Sequence, residues 1–231
     1  MARLKLHFRQ RLAGYMIALW GVFGPATQVI AEDNTVSLTV SGGSQLNLGY
    51  ALIDNISGEF GSEYGLLVVD GTGSAANADF VAVGIEGRGE INVKNGAQLN
   101  SQSAFLGFYP GALGMVNVNG VNSAWQNGPE YDFFIGYAGA GDIVVSDGGL
   151  IKNDTDTYLG VDIGGAGRIL VDGINSRFVS GGQLFVGWEG HGEVAIKNGG
   201  KVLSTDAFMP GQQGSVTIDG AGSALLVNGN L

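Results

Sequence analysis

An eleven-residue phrase occurs three times in this chain, and its repetition constrains the fold more than any other feature. It reads GEINVKNGAQL at 89–99, GDIVVSDGGLI at 141–151 and GEVAIKNGGKV at 192–202. Each copy follows the pattern G-x-[IV]-x-[VI]-x-[ND]-G-[GA], which we term type B. A chain that repeats one short segment builds an architecture in which equivalent segments stack on one another.

A second phrase, type A, alternates with the first and has the pattern G-x-[LIV]-x-[VI]-[DN]-G-x-[GN]-S. Its copies are GLLVVDGTGSA at 65–75, GMVNVNGVNSA at 114–124, GRILVDGINSR at 167–177 and GSVTIDGAGSA at 214–224. A looser copy, LTVSGGSQL at 38–46, is a candidate first type B unit. The leading glycines of the seven clear copies follow one another at spacings of 24, 25, 27, 26, 25 and 22 residues: Gly65, Gly89, Gly114, Gly141, Gly167, Gly192 and Gly214.

Apolar and polar residues alternate within each copy. Val194 and Ile196 point to one side of the predicted strand, while Glu193, Ala195 and Lys197 point to the other. An alternation of period two is typical of a β-strand with one buried and one solvated face. A third element, made of an aromatic residue, one to three apolar residues and a glycine, precedes most copies: FVAVG at 80–84, FLG at 105–107, FIG at 134–136, YLG at 158–160, FVG at 185–187 and FMPG at 208–211.

The repeat therefore predicts an all-β fold, a right-handed parallel β-helix with coils of about 25 residues. A propeller blade needs roughly 40–45 residues, so it does not fit this unit. Successive coils would stack at about 4.8 Å, and their equivalent strands would form long parallel sheets. The two-coil period predicts that alternate coils differ at their corners. A closed sandwich is the structural alternative, but strict repetition favours the solenoid.

Residues 1–31 are predicted to be a cleaved secretory signal. Four basic residues lie between Arg3 and Arg11, and an apolar stretch runs from Leu12 to Phe23. That stretch is too short for a membrane-spanning helix, which needs roughly 20 apolar residues. Cleavage is expected after Ala31, so we divide the chain into a signal at 1–31, an N-terminal cap with a first irregular coil at 32–64, and β-helix repeats at 65–231.

Removal of the signal makes the chain strongly acidic. The signal holds four of the 11 basic residues and none of the 21 acidic ones, which leaves seven basic and 21 acidic residues, a net charge of −14. Such a surface repels phosphate backbones, so nucleic acid is not an expected partner. The chain has no cysteine, so an exported product relies on burial and hydrogen bonds rather than disulfides.

The pattern F-[VLI]-G…G-x-G-x-[IV]-x-[VI]-x-N-G-G, alternating with V-D-G-x-x-S-x-[WFL], resembles the passenger domains of bacterial autotransporters, with their short adhesin-like repeats. The resemblance covers roughly residues 60–231. It implies a type V secreted, surface-exposed β-helix that often mediates adhesion and is joined to a C-terminal outer-membrane β-barrel. No chain remains here for such a barrel, which needs many strands of about ten residues. We therefore expect a truncated passenger or a fragment, at the cell surface, outer membrane or secreted if joined to a barrel, and otherwise periplasmic.

The Asp-Gly and Asn-Gly pairs of the repeat are candidate ligands for calcium or glycans along the rod. Turn chemistry is the simpler interpretation, because Asn and Asp tolerate left-handed backbone and glycine follows without steric cost. The residues concerned are Asp70, Asn119, Asp172 and Asp219 in type A, and Asn95, Asp147 and Asn198 in type B.

Few other residues have the pattern of a chemical site. Asp154, Asp156 and Asp162 lie in one acidic loop, but the EF-hand pattern is not met, so an ordinary corner is favoured. His191 is the one histidine after the signal and has no partner for zinc. The acidic residues are spread along the chain rather than paired, which disfavours a polysaccharide-cleaving enzyme. The sequence thus assigns no catalytic, cofactor-binding or metal-ligating residue.

The aromatic residues are candidates for sugar stacking or for packing. Trp125 and Trp188 are the candidates for sugar stacking. Trp125 occupies a repeat position that holds Ala76, Phe178 or Leu225 in other copies, and this pattern favours core or corner packing. Six aromatic residues are expected to stack coil upon coil in a structural role: Phe80, Phe105, Phe134, Tyr158, Phe185 and Phe208.

These observations predict a non-catalytic exported scaffold with an adhesion or cell-surface interaction role. Its expected partners are a surface receptor or glycan, with self-association as a further candidate, and no cofactor is expected. A polysaccharide-active β-helix enzyme and a vestigial truncated product are the alternatives. Because the core positions are alike in every copy, specificity is expected at the corners, where the copies differ.

Overall fold

In a computed structural model, the chain is described over residues 15–22, 27–32, 35–55, 64–211 and 213–229. Among those residues, none forms a helix with the length and apolar character needed to cross a bilayer. The described secondary structure consists of strands: β1 (Tyr15–Val22), β2 (Thr27–Glu32), β3 (Thr35–Val40), β4 (Gln45–Asn55), β5 (Tyr64–Asp70), β6 (Ala75–Val83), β7 (Arg88–Lys94), β8 (Gln98–Ser101), β9 (Ser103–Leu106), β10 (Leu113–Asn119), β11 (Ala124–Asn127), β12 (Phe133–Ile135), β13 (Ala140–Ser146), β14 (Leu150–Asn153), β15 (Thr157–Leu159), β16 (Ala166–Asp172), β17 (Arg177–Ser180), β18 (Leu184–Val186), β19 (His191–Lys197), β20 (Lys201–Ser204), β21 (Ala207–Phe208), β22 (Gly214–Asp219) and β23 (Ala224–Val227).

The chain is a parallel β-solenoid of about seven turns, as the repeat predicts. Its first column consists of eight strands in parallel register: β3, β5, β7, β10, β13, β16, β19 and β22. The leading glycines pair with one another in this register, from Gly65 opposite Gly89 to Gly192 opposite Gly214. The spacing of these glycines in the sequence is therefore the length of one coil.

All the remaining strands except β2 belong to one sheet of 14 strands, which contains a second and a third column. The second column contains β8, β11, β14, β17, β20 and β23, and the third contains β9, β12, β15, β18 and β21. The two columns are joined at β4 and β6, because each of these long strands extends across both the second and the third column. Each coil therefore has a first corner after its first strand, a second corner between its second and third strands, and a third corner leading to the next coil.

The first two strands pair with the solenoid in antiparallel rather than parallel orientation. β1 pairs antiparallel with β4, and β2 pairs antiparallel with β3, whereas β3 and β4 pair in parallel with the next coil. The predicted signal at 1–31 includes β1 and most of β2, and its cleavage after Ala31 stays a prediction. Residues 56–63 of the predicted cap lie outside the described residues.

The core is filled by the inward residues of the alternating strands. Val194 and Ile196 are fully buried, as are their counterparts Ile143 and Val145 two coils earlier. Ala195 departs from the expected pattern, because it is 3% exposed although it lies on the outward side of β19. Burial of two such aliphatic side chains per strand supplies the main apolar stabilisation of each coil.

Type B turns close the first corner with two successive left-handed residues. Asn198 has φ of 50° and Gly199 has φ of 90°, and Gly200 N–H donates to the Lys197 carbonyl at 2.9 Å. Asn95 and Asp147 adopt the same left-handed conformation. The turn interpretation of the type B Asn and Asp positions is thus confirmed, because this geometry is tolerated by Asn, Asp and Gly.

Type A turns use a different backbone, in which the Asp or Asn itself is not left-handed. Left-handed φ angles occur at the glycine that follows and at the [GN] position, for example at Gly173 and Asn175. The serine that ends the pattern is buried in the first three copies, and Ser176 Oγ accepts a hydrogen bond from Gly148 N–H of the preceding type B turn at 3.0 Å. Equivalent bonds join three other pairs of coils: Gly43 to Ser74, Gly96 to Ser123, and Gly199 to Ser223.

The opposite face of each type A turn makes a second kind of contact, between carboxylate and amide side chains. Asn95 Nδ2 donates to Asp70 Oδ1 and Asn198 Nδ2 donates to Asp172 Oδ1, both at 2.7 Å, and Asn119 Nδ2 donates to Asp147. Each pair contains one amide and one acid, so no pair places two carboxylates together. The two contacts alternate along the rod, which explains the two-coil period.

At the third corner the backbones of adjacent coils approach too closely for a side chain. A Cβ placed on Gly114 would lie 2.1 Å from the carbonyl oxygen of Val83, and one on Gly89 would lie 1.9 Å from that of Ile53. The glycine that ends each third strand is equally confined, since a Cβ on Gly107 would meet the Ala140 oxygen at 2.2 Å. Both glycines of the repeat are therefore required by space.

We predict that Gly114→Ala destabilises the protein by about 3–5 kcal/mol, since the added methyl group must displace the backbone of the neighbouring coil. Urea unfolding followed by circular dichroism measures the change. Gly49→Ala is the control, because a Cβ there meets only Asp79 Oδ2 at 3.9 Å, and we expect a change within about 0.5 kcal/mol. Equal unfolding midpoints for the two variants would contradict the close approach.

We also predict that Ser176→Ala costs about 1–3 kcal/mol, because it leaves the Gly148 N–H without its acceptor and removes the bond from Ser176 Oγ to the Asp172 carbonyl. Ser215→Ala, at an exposed position in β22, should change the free energy of unfolding by less than about 0.5 kcal/mol. The same unfolding experiment measures both, and a neutral Ser176→Ala would show that the coil-to-coil bond carries no stability.

Candidate functional site at the second corner and the outer aromatic face

The coils differ most at the second corner. One residue, Gln102, separates β8 from β9, whereas residues 128–132 form a five-residue loop between β11 and β12. This loop has the sequence GPEYD, and Glu130 and Tyr131 are exposed. The position agrees with the expectation that the copies differ at their corners.

A buried ladder of hydrogen bonds holds the second corner in place. Trp125 Nε1 donates to Ser101 Oγ at 2.9 Å, and Asn127 Nδ2 donates to Asn153 Oδ1 of the next coil at 2.9 Å. Asn153 Nδ2 in turn donates to Thr157 Oγ1 at 3.1 Å. Buried polar groups that are satisfied in this way fix the local geometry, so the loops leave the solenoid from a rigid base. The ladder consists of Ser101, Trp125, Asn127, Asn153, Thr157 and Ser180.

Two carboxylates and a tyrosine interact electrostatically beside this loop. Burial raises the pKa of Asp132 above its ordinary value, and the charge of Asp156 raises it further, while a hydrogen bond from the Asp156 backbone opposes the shift. Burial also raises the pKa of the Tyr158 hydroxyl, with the charges of Asp132 and Asp156 adding to the effect. This corner therefore carries concentrated negative charge, which favours the neutral forms of its titratable groups or the approach of a cation.

The sequence pattern did not single out Asp132. The three aspartates of the acidic loop at 153–162 do not form one site, because each has a different partner. Asp154 pairs with Lys152, and Asp156 Oδ1 accepts a bond from Gln183 N–H at 2.7 Å. Asp162 lies beyond β15, where its carboxylate caps the Ile163 N–H. In the described parts of the chain, no group of three or more His, Asp or Glu residues is arranged to hold a metal ion.

The repeated aromatic residues form a ladder on the outside of the third column, which we term the aromatic ladder. They stack coil upon coil as expected, with ring centroids of successive residues 4.5 to 6.1 Å apart. The core beneath is formed by their neighbours, since Phe133 and Ile135 are fully buried while Phe134 is half-buried. The ladder consists of Tyr50, Phe80, Phe105, Phe134, Tyr158, Phe185 and Phe208.

A second row of aromatic residues follows the ladder at the third corner. Tyr137 meets Phe134 edge to face at 5.7 Å, and Trp188 meets Phe185 edge to face at 5.1 Å. Trp188 is 41% exposed, whereas Trp125 is fully buried and packs against Phe133. Core packing is confirmed for Trp125, and Trp188 lies at a corner on the outer face.

His191 is exposed at the start of β19. It lies opposite Ala166 in the strand register, and the adjacent Glu189 is also exposed. The first-corner Asp and Asn side chains pair with one another, as described above. The outer face of the third column is therefore the surface on which aromatic and acidic side chains occur together.

Comparison with known proteins finds relatives of which this chain matches only a part. The chain is 29% identical over 188 residues to the uncharacterized protein YuaQ of Escherichia coli K12, which covers 71% of this chain and 14% of YuaQ. It is 29% identical over 127 residues to the uncharacterized lipoprotein YdeK of the same strain, which covers 53% of this chain and 9% of YdeK. No protein-family model matches the chain. No solved structure matches it either.

We predict that Asp132→Asn stabilises the protein at pH 7. When the pKa of a carboxyl group is higher in the folded state than in the unfolded state, the group stabilises the fold at pH values below the unfolded-state pKa. This contribution to stability is lost as the pH rises through the folded-state pKa. The uncharged amide should therefore raise the free energy of unfolding by less than about 1 kcal/mol at pH 7 and leave it almost unchanged at pH 3. Urea unfolding at both pH values measures the difference.

Asp219→Asn serves as the control for this prediction, because it removes one negative charge at an exposed first-corner turn. An equal gain for both variants would assign the effect to net charge rather than to the pair of Asp132 and Asp156.

Proposed function

We propose that this chain is a non-catalytic, exported β-solenoid scaffold with an adhesion or cell-surface interaction role. The observation that carries the proposal is the division between a uniform interior and a variable exterior. The inward aliphatic residues, the corner glycines and the aromatic ladder recur from coil to coil, whereas the five-residue loop at 128–132 occurs in one coil and faces solvent. Such a rod presents many weak contacts at once to a partner.

The size of the relatives supports a role as one segment of a larger protein. The chain spans 14% of YuaQ and 9% of YdeK, so the activity of a whole protein of that kind extends beyond these coils. The name of YdeK as a lipoprotein is consistent with an exported, membrane-associated setting. The resemblance of the repeat to autotransporter passengers supports the more specific proposal of a type V secreted adhesin.

The proposed partner is a receptor or glycan on another surface, with self-association as a second mode.

Display on bacteria tests the proposal. The full chain is fused ahead of an outer-membrane β-barrel, and the attachment of cells to epithelial cells and to abiotic surfaces is counted. We expect more attachment than with cells that display the barrel alone, because the solenoid extends the outer face away from the membrane. Mass spectrometry of the displayed protein should find Glu32 at its N-terminus.

A variant with Gly114→Ala, displayed at an antibody-matched level, is the control for an intact solenoid. Attachment no greater than that of the barrel alone would contradict the adhesion role. An unprocessed N-terminus retained in the cytoplasm would contradict export.

A further inference from the structure

The aromatic ladder is a partly exposed apolar face, in which Tyr50 is exposed and the other six rings are half-buried. Its seven rings follow one another for about 29 Å if successive coils are spaced by the usual inter-strand distance. Tyr50 is 63% exposed, and Trp188 extends the face at the third corner with 41% exposure. A continuous apolar strip of this kind marks an interaction surface more often than scattered single residues do.

Acidic residues border this face on both sides. Asp132 and Asp156 each precede a ladder residue by two positions at the second corner, and Asp79 precedes Phe80 within β6. The third-corner loops on the other side carry three exposed acids: Glu86, Asp162 and Glu189. The apolar face thus lies between two negative margins.

Several basic side chains of the described residues are engaged with other groups. Lys152 pairs with Asp154, and Arg168 lies between Asp142 and Glu193 on the first column. The Arg88 guanidinium lies over the Tyr64 ring, 4.9 Å from its centroid. Among the described ion pairs, none includes Asp132 or Asp156. Burial raises the pKa of Asp132, and the charge of Asp156 raises it further.

We propose that the aromatic ladder and its acidic margins form a docking surface for a basic, extended polypeptide segment of a partner protein. This inference rests on the proposed scaffold function and adds the surface and the chemistry of the partner. Lysine and arginine side chains have apolar stems that lie along aromatic rings and charged ends that reach carboxylates. The spacing of the coils offers such a segment successive equivalent places.

Charge complementarity selects this occupant over others. A second copy of the chain, with its net charge of −10, would bring like-charged margins together. Nucleic acids and anionic lipid surfaces are repelled for the same reason. A neutral glycan would leave the carboxylates without compensation, and the faces of the ladder rings are largely occupied by one another. A basic segment satisfies both the rings and the charges.

Fluorescence anisotropy of a labelled lysine- and arginine-rich peptide, titrated with the purified full chain, tests the proposal. We expect saturable binding that weakens at least about tenfold when salt rises from 50 to 300 mM, as electrostatic contacts are screened. A glutamate-rich peptide of the same length and a neutral oligosaccharide should not compete. Binding of either of these instead of the basic peptide would overturn the proposal.

Matched variants locate the surface. D132N/D156N and, separately, Trp188→Ala should each weaken peptide binding by at least about fivefold, which corresponds to roughly 1 kcal/mol. The control D147N/D219N removes the same two charges from first-corner turns and should change binding less than about twofold. Equal effects of the two charge variants would overturn the proposal, as would unchanged binding in Trp188→Ala when circular dichroism shows each variant to be folded.

The outcome is separable from that of the proposed function. Displayed chains that still attach to cells when they carry D132N/D156N would leave the adhesive scaffold standing and overturn the basic-segment surface. Peptide binding by a purified chain whose displayed form fails to attach would do the reverse.

Discussion

The whole solenoid depends on the close backbone approach at its third corner. Two glycines meet at five of the described third corners, one ending the third strand and one beginning the next first strand, and neither leaves room for a Cβ. Because this corner is so tight, each coil returns to the first column in the same register, with leading glycine opposite leading glycine. In-register stacking then brings the aliphatic residues into one continuous core and the aromatic residues into one continuous ladder. Interior and exterior patterns thus follow from one steric constraint.

Stacking of equivalent positions also concentrates electrostatic effects. Any side chain that recurs in each coil meets its own kind at a distance of about 4.8 Å, so a repeated acid would be repelled along the rod. The first corner avoids this within each bonded pair by placing an amide opposite an acid, as with Asn95 and Asp70. At the second corner Asp132 and Asp156 lack such an alternation. Burial raises the pKa of Tyr158 between the stacked rings, and the charges of these two acids raise it further. The second corner therefore differs from the first corner, because two neighbouring carboxylates repel each other there, whereas the first corner pairs each acid with an amide.

The sequence was sufficient to predict the coil length, the strand register and the type B turns. Each of these follows from local rules, since the glycine spacing defines a coil and the Asn-Gly pair defines a left-handed turn. It was not sufficient to predict that Phe134 and its equivalents face outward, because an aromatic residue beside two apolar neighbours satisfies either side of a short strand. The proximity of Asp132 to Asp156 was likewise hidden, since it depends on how a five-residue loop folds back over the next coil. The serine of type A was visible as a pattern, but its hydrogen bond to the preceding turn became apparent only with three-dimensional register.

That serine bond has a consequence for how such a rod can change its length. A backbone N–H of each type B turn donates a hydrogen bond to the serine of the type A coil that follows it. The acid or amide side chain of each type A turn pairs with the amide or acid side chain of the next type B coil. Duplication of a single coil would place two coils of the same type next to each other, and one of these two contacts would be lost. Insertion or removal of two successive coils, about 50 residues, preserves both. The unit by which this architecture can be extended is therefore the coil pair, and proteins of very different length can be assembled from it without any change in its interfaces.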